Sequence, residues 1–417
     1  MNKLVKKILP HIRLGLLAMS IVACSGGGKN CTRLVVDERE VVDYYSAVEK
    51  RSEPEIQAAM PLKHPGKVYL MDDYLFIVEK GEGLHIIDNK NPAQPKAIRF
   101  IQIAGNWDIA AKGSHLYADS YADLLVFDIA NPNEPKLAHR VNDVWDWDNV
   151  IGRFKQEERE AEMVKDRRMV KKEYMVPCDA EVDILATRNT AGPSGGQGGS
   201  MARFSMAGKY LYAVDNFDLY AFDLSNPSKP AKVSQQQVDM NIETIFSYSN
   251  MLFVGGTQGV YIYDRKEAAK PVFRSQFKHV ESCDPVVVEE DYAYVTLRED
   301  ASCRNAKNLL MVLDVKDFDN PNIIAEYPMQ HPHGLGVKEG TLYICEGKHG
   351  LKVYDLKDKT TIDQHLIAQD SIVRAYDVIP HAYKPLLILV GDEGLFEYDI
   401  SQPAALKRIG ELRSFGN

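Results

Sequence analysis

An all-β ring of seven four-stranded antiparallel blades, a seven-bladed β-propeller, is the fold this sequence predicts, and three observations predict it. A two-strand unit recurs along the chain, as in His115-Leu116-Tyr117-Ala118-Asp119, a short turn, and Leu124-Leu125-Val126-Phe127-Asp128. The aspartates that close these units, Asp88, Asp128, Asp223, Asp264, Asp314, Asp355 and Asp399, follow one another at 40, 95, 41, 50, 41 and 44 residues, close to the period of propeller arrays. The segments between them are short, rich in Val, Ile, Leu, Tyr and Phe, and punctuated by Gly, Asn, Asp and Pro, as strands and their turns are.

Each unit has room for four strands. In the second, Trp107 to Ala111 reads as the inner strand, Leu116 to Asp119 as the second, Leu124 to Ile129 as the third and Lys136 to Val141 as the outer. The aspartates read as architecture. In Asp128-Ile129-Ala130-Asn131-Pro132-Asn133-Glu134-Pro135 an acidic strand end precedes Asn-Pro and a second Pro; Asp and Asn oxygens accept turn N–H groups, and proline ends the pairing. The one double-length gap is an insertion between blades 2 and 3, residues 148–200. Within it, Phe154 to Glu173 is densely charged with a thin apolar stripe and no Pro or Gly, which predicts a helix, either a lid or partner-binding element or a solvated surface helix. The propeller itself spans 56–417. Its last outer strand comes either from residues 404–412 or from Ile56 to Leu62, and the former is preferred because the first and last blades each hold four strands of their own.

The N-terminus is a separate segment. Lys3, Lys6 and Lys7 precede an apolar run from Leu14 to Val22, which ends in Ile21-Val22-Ala23-Cys24. This resembles the lipobox of bacterial lipoproteins: residues 1–23 are a signal peptide, Cys24 accepts lipid (palmitate among the acyl chains), and 24–55 is a tether and partly ordered lead-in. The apolar run is too short for a retained membrane span. Ser25 follows the cysteine, and the aspartate that holds enterobacterial lipoproteins at the inner membrane is missing, so an outer-membrane anchor is expected, with the domain facing the periplasm or the medium.

A net charge of −9 in 417 residues excludes nucleic acid as a partner. Export permits disulfides. Beyond Cys24 the chain has Cys31, Cys178, Cys283, Cys303 and Cys345, an odd number. Cys283 and Cys303 are expected to meet across a blade-5 hairpin and form a disulfide, worth about 3 kcal/mol by loop closure. Cys345 is free or pairs with Cys31 or Cys178. No CxxC is present, so zinc-finger and thioredoxin readings lack support.

The units Leu84-His85-Ile86-Ile87-Asp88, Leu124-Leu125-Val126-Phe127-Asp128 and Leu351-Lys352-Val353-Tyr354-Asp355 resemble the repeat of the LVIVD-repeat family of bacterial exported β-propellers. So do Cys283-Asp284-Pro285-Val286-Val287-Val288, Ala293-Tyr294-Val295-Thr296-Leu297-Arg298, His333-Gly334-Leu335-Gly336-Val337 and Gly199-Ser200-Met201-Ala202-Arg203-Phe204. The resemblance covers residues 64 to 412 apart from the insertion. It implies a propeller lipoprotein and supplies no catalytic residues.

Candidate chemistry lies at the channel mouth, where ligands sit on propellers. Aligning the units puts Lys67, Asp108, Arg203, Glu243, Asp284, Gly334 and Asp377 at the starts of the inner strands. Asp108, Arg203, Glu243, Asp284 and Asp377, with His333 beside them, form either a ring that holds a polar ligand or cation, or a set of charges that pair with one another and with backbone amides at blade junctions. His331, His333 and His349 with Glu346 bear zinc-binding groups, but not at a zinc spacing, and no metal or other cofactor is expected. The Gly-rich run Gly192 to Gly199, flanked by Ser194 and Ser200, reads as a flexible loop, and no G-x-S-x-G elbow is present. Trp107, Trp145 and Trp147 cluster rather than recur by blade, which weakens a quinone-dehydrogenase reading. The expected function is therefore a non-enzymatic envelope lipoprotein: a rigid scaffold that binds another envelope protein or a polar ligand at its loop-rich face. The alternative is a hydrolase or lyase using the charged mouth.

Overall fold

The computed structural model describes residues 12–13, 32–156, 159–177, 199–278, 285–299 and 307–414, with side chains for 40–155, 159–171, 200–278, 285–299 and 307–414. The chain divides into two compact units, residues 1–50 with 154–191, and residues 51–153 with 192–417. Among the described residues no helix is long and apolar enough to cross a membrane.

The larger unit is the propeller. Blade 1 is Pro65–Met71, Tyr74–Glu79, Gly83–Asp88 and Lys96–Gln102, and blade 2 is Ile109–Lys112, His115–Ser120, Asp123–Asp128 and Lys136–Val141. Blades 3 to 7 repeat this antiparallel order from Phe204–Ala207, Ile242–Tyr248, Val286–Glu289, Leu335–Lys338 and Ala375–Pro380. These first strands adjoin one another from blade to blade and so line the axis. Apolar faces of successive blades make the core. Phe76, Leu84 and Ile86 pack with Leu116, Leu125 and Phe127 between blades 1 and 2, and Leu75, Ile77 and Ile87 pack with Leu386, Ile388 and Val390 where blade 7 meets blade 1. Tyr117 and Tyr212, equivalent in blades 2 and 3, each donate from the phenol to a turn carbonyl of the next blade, Pro227 at 3.0 Å and Ala268 at 2.8 Å.

The strand-end aspartates do what their turns predict. Asp88, Asp128, Asp223, Asp264, Asp314, Asp355 and Asp399 each accept, through Oδ1, the N–H of the residue two positions on, at 2.6–3.1 Å. Each closes the turn into the outer strand.

Closure of the ring follows the preferred reading. The outer strand of blade 7 is Lys407–Arg413. The N-terminal segment takes another place: Glu55–Ala58 adds a fifth strand outside Lys96–Gln102 of blade 1, and Leu62 makes a single parallel bridge to Ser414.

The insertion departs from expectation. The helix runs only over Trp147–Gln156, and one turn of 3-10 helix follows at Glu160–Glu162. Val164–Pro177, expected to be helical in its first half, is a strand paired antiparallel with Thr32–Tyr44, a stretch expected to be lead-in. Ile12–Arg13 pairs with the other edge of Thr32–Tyr44. The reason is long-range charge matching. Across the two strands Arg167 faces Glu40 at 3.5 Å and Arg168 bonds Asp43, and beyond the partner strand Lys165 bonds Glu49 of the short helix Ala47–Lys50. Cross-strand pairs of opposite charge stabilise such a ribbon, and they override a local pattern that suits a helix equally well. Cys24, Cys31, Cys178, Cys283, Cys303 and Asp284 lie outside the described residues.

Candidate functional site

The starts of the inner strands converge on a buried charge cluster. Lys67, on the inner strand of blade 1, is bonded through Nζ to Asp108 Oδ2 of blade 2, and both side chains are buried. The same carboxylate oxygen accepts the backbone N–H of Arg203 from blade 3 at 2.6 Å, and Oδ1 accepts the N–H of Ile109 at 2.8 Å. Burial pushes Asp108 up and Lys67 down from their ordinary ranges, and the contact between them opposes both shifts. Three blades are thus joined through one carboxylate.

Asp119, at the end of the second strand of blade 2, positions that carboxylate. Its Oδ1 accepts the N–H groups of Trp107 at 2.6 Å and Asp108 at 2.8 Å, together with Asn106 Nδ2 at 3.0 Å. Its Oδ2 is held by Arg153 at 2.9 Å. Arg203 is half-buried and donates to Asn216 Oδ1 at 3.1 Å. Burial and the neighbouring Arg153 lower its pKa to about 10, while Glu243 and Asp108 oppose the shift. Glu243 is half-buried beside it. Of the predicted ring, then, Lys67, Asp108, Arg203 and Glu243 share one electrostatic neighbourhood, in which Lys67 and Asp108 pair directly while the Arg203 side chain is bonded to Asn216.

Asp377, on the inner strand of blade 7, differs. It is 1% exposed, and among the described residues neither carboxyl oxygen has a well-formed hydrogen bond. Burial raises its pKa well above the ordinary carboxylate range, and the Val378 N–H, Lys67 and Ser200 only partly oppose this. Gly334 of blade 6 is what lets it fit: a Cβ there would stand 2.0 Å from Asp377 Oδ1.

The axis is filled. Gly199–Met201 forms one 3-10 turn just before blade 3, and it rests against the inner strands of blades 1, 4, 5, 6 and 7. Ser200 and Met201 are buried, the Ser200 hydroxyl accepts the Leu335 N–H of blade 6 at 2.9 Å, and the Ala202 carbonyl accepts the Ile245 N–H of blade 4 at 2.8 Å. The end of the run expected to be a flexible loop is a plug, because it supplies the polar partners that converging inner strands leave wanting.

A histidine array lies beside this axis. Arg298 Nη1 is 2.7 Å from His333 Nδ1, and His333 Nε2 is 3.0 Å from His331 Nδ1. A guanidinium only donates, so His333 Nδ1 is the acceptor and Nε2 carries the proton given to His331. Burial, Arg298 and His331 lower the His333 pKa to about 2. His333 is thereby a neutral relay, with the Tyr376 ring edge-on at 5.1 Å. Both ring nitrogens are engaged, which takes His333 out of the zinc-like constellation. Glu346 is turned to Lys352 and to the Gln330 N–H, at 2.8 Å for the latter. Among the described residues no group of three or more His, Cys, Asp or Glu is placed to hold a metal. Cys345 is a free, fully buried thiol whose pKa is raised well above its ordinary value by burial and by Asp377.

Two participants escaped the residue-by-residue reading. Arg298 and Ser200 both sit in segments that recur in the resembled family, next to inner-strand starts, and that position was the signal available for them.

Fold and site together define a β-propeller scaffold whose axis is closed by its own side chains and a plug turn. The chain is a seven-bladed propeller that carries LVIVD repeats: the family model of that repeat matches residues 65–99, 105–143 and 198–236. Comparison with curated proteins returns no match. Among solved structures, a periplasmic gluconolactonase from Pseudomonas aeruginosa is similar at 10% identity and a TM-score of 0.54, over 86% of this chain and 97% of that one. A functionally unknown protein from Desulfotomaculum acetoxidans is similar at 10% identity and a TM-score of 0.52, over 83% and 98%. At such identities the likeness is one of fold.

Proposed function

We propose that this protein is a non-enzymatic scaffold of the bacterial envelope, held at the outer membrane by lipid on Cys24, that binds another envelope protein at the face where the inner strands begin. One observation carries the reading: Lys67 and Asp108 are spent on each other, and the Gly199–Met201 turn rests against the inner strands of five blades, which favours an axis built for rigidity with recognition at the rim. The rim offers anchors. Met240 and Ile372, in the loops that lead into the inner strands of blades 4 and 7, are 60% and 79% exposed. Exposed apolar side chains set among charged residues suit a protein partner.

The competing reading is a hydrolase or lyase, and the gluconolactonase named above gives that class a precedent on this fold. It would need Asp377 and Lys67 to reach substrate, and both are buried beside the plug. The test uses the native lipidated protein. Solubilised from membranes after cross-linking, it should carry a stoichiometric envelope partner, lost from Met240→Asp and Ile372→Asp variants that remain folded. Cys24→Ala should release it from the membrane fraction. Turnover of esters or lactones that Asp377→Asn abolishes without unfolding would overturn the scaffold reading.

A further inference from the structure

The seam where the last blade closes on the first holds a buried polar pair beside an apolar cluster, with the Lys384–Asp73 ion pair as a further polar contact. Glu397, in the third strand of blade 7, is fully buried, and its Oε2 accepts Asn89 Nδ2 of blade 1 at 3.0 Å across the seam. Among the described residues its other oxygen, Oε1, and the Asn89 Oδ1 have no hydrogen-bond partner. The seam's apolar cluster includes Leu75, Ile77, Ile87, Leu386 and Ile388, and Ile388 is the cross-strand partner of Glu397. The seam is tightly apposed: Gly410, paired with Glu397 on the outer strand, approaches the Pro92 carbonyl so closely that a Cβ would stand 1.9 Å from it.

The surrounding charges are committed elsewhere. Lys384, from the turn after the inner strand of blade 7, acts on Glu397 at longer range but is bonded to Asp73 of blade 1 at 2.7 Å. His381 of the same turn accepts the N–H groups of Tyr383 and Lys384 at Nδ1, and burial, Lys384 and Lys338 lower its pKa against the opposing effect of Asp73. On the strand of Glu397 itself, Asp399 is turned onto the Ser401 N–H, and at the end of the facing blade-1 strand Asp88 is turned onto the Lys90 N–H. On the outer strand, Glu411 and Arg413 bond each other and Arg408 reaches Asp370. Among the described residues no cation is bonded to Glu397, and Lys384 acts on it only at longer range.

We infer that the blade 7–blade 1 seam is a pH-sensitive latch: a protonated Glu397 keeps it shut, and an ionised Glu397 loosens it. An ionised carboxylate is costly in so buried a site, and the acid form costs much less. The direction agrees with burial raising the Glu397 pKa from 4.5 to about 7. A carboxyl raised on folding contributes stability that is present in full below its unfolded pKa and lost as pH rises through its folded value. Loosening is therefore expected across neutrality, and it is confined to the seam because a closed ring's other blade junctions do not depend on it.

The test compares full-length protein and Glu397→Gln. The melting temperature of the native protein should fall by a few °C more than that of the variant between pH 6 and pH 8.5. Hydrogen exchange on the native protein, corrected for intrinsic rates, should lose protection at the higher pH in Leu386–Gly391, Gly394–Asp399 and Tyr74–Glu79 before other blades. If the variant keeps the native pH slope, or if protection falls evenly around the ring, the latch does not exist. Should the variant fail to fold, the exchange pattern of the native protein decides alone.

Discussion

Lys67 of blade 1 and Asp108 of blade 2 form a buried ion pair at the axis, and the acceptor oxygen is the one that also takes the Arg203 N–H of blade 3. Taking two charges out of water is expensive, and removing one partner strands the other. Asp108→Ala should therefore destabilise the protein by about 3–5 kcal/mol. Lys67→Met with Asp108→Asn should cost less than the single change, since both charges go together and the amide oxygen can still accept a backbone N–H. Urea unfolding of the two variants measures the difference.

Asp377 gives a pH prediction of opposite sense to ordinary acid denaturation. Its pKa is raised by burial, so its contribution to stability is complete below about pH 4 and declines as pH rises toward the folded value. Asp377→Asn should melt above the native protein at pH 8, by about 2 °C or more, and the two curves should converge near pH 4. Calorimetry across that range checks it.

Gly334 is fixed by the carboxyl it faces. Gly334→Ala places a methyl 2.0 Å from Asp377 Oδ1 and should cost about 1–3 kcal/mol, as overpacking does. Adding Asp377→Ala should recover part of that loss, since the clash is with the removed group. A double-mutant cycle by denaturant unfolding reads the coupling.

The relay through His333 should be silent to titration. With a pKa lowered to about 2, the imidazole stays neutral, and its NMR ring shifts should not move between pH 5 and pH 8. A titration near pH 6.5 would break the assignment of Arg298 as donor.

The strand-end aspartates should behave as turn residues. Asp128→Ala removes the 2.9 Å bond to the Ala130 N–H and should cost about 0.5–1.5 kcal/mol, with partner binding by the opposite rim unchanged. Melting and binding measured on one sample separate the two effects.

Much of this was legible beforehand. Asp128 could be read as a turn residue because its partner is two residues away and the Asn-Pro that follows leaves the backbone few alternatives. Asp108, Arg203 and Glu243 could be placed at one mouth because equivalent positions in a repeat occupy equivalent places. That Lys67 pairs with Asp108 is a contact between two blades, which equivalence of positions does not specify. Phe154 to Glu173 misled because an uninterrupted charged run suits a helix as well as a ribbon, and its partner lies more than 120 residues earlier.

By itself, then, the sequence determined the number of blades, the turn chemistry and the ring of inner-strand starts, all of which rest on hydrogen bonds and periodicities within one unit of about 40 residues. The tertiary structure alone decided that Val164–Pro177 pairs with Thr32–Tyr44, that Ser200 plugs the axis, that Lys67 neutralises Asp108 and that Glu397 meets Asn89. Those pairs join residues far apart in the chain, and a contact whose partners share no local pattern leaves no mark that a single sequence can show.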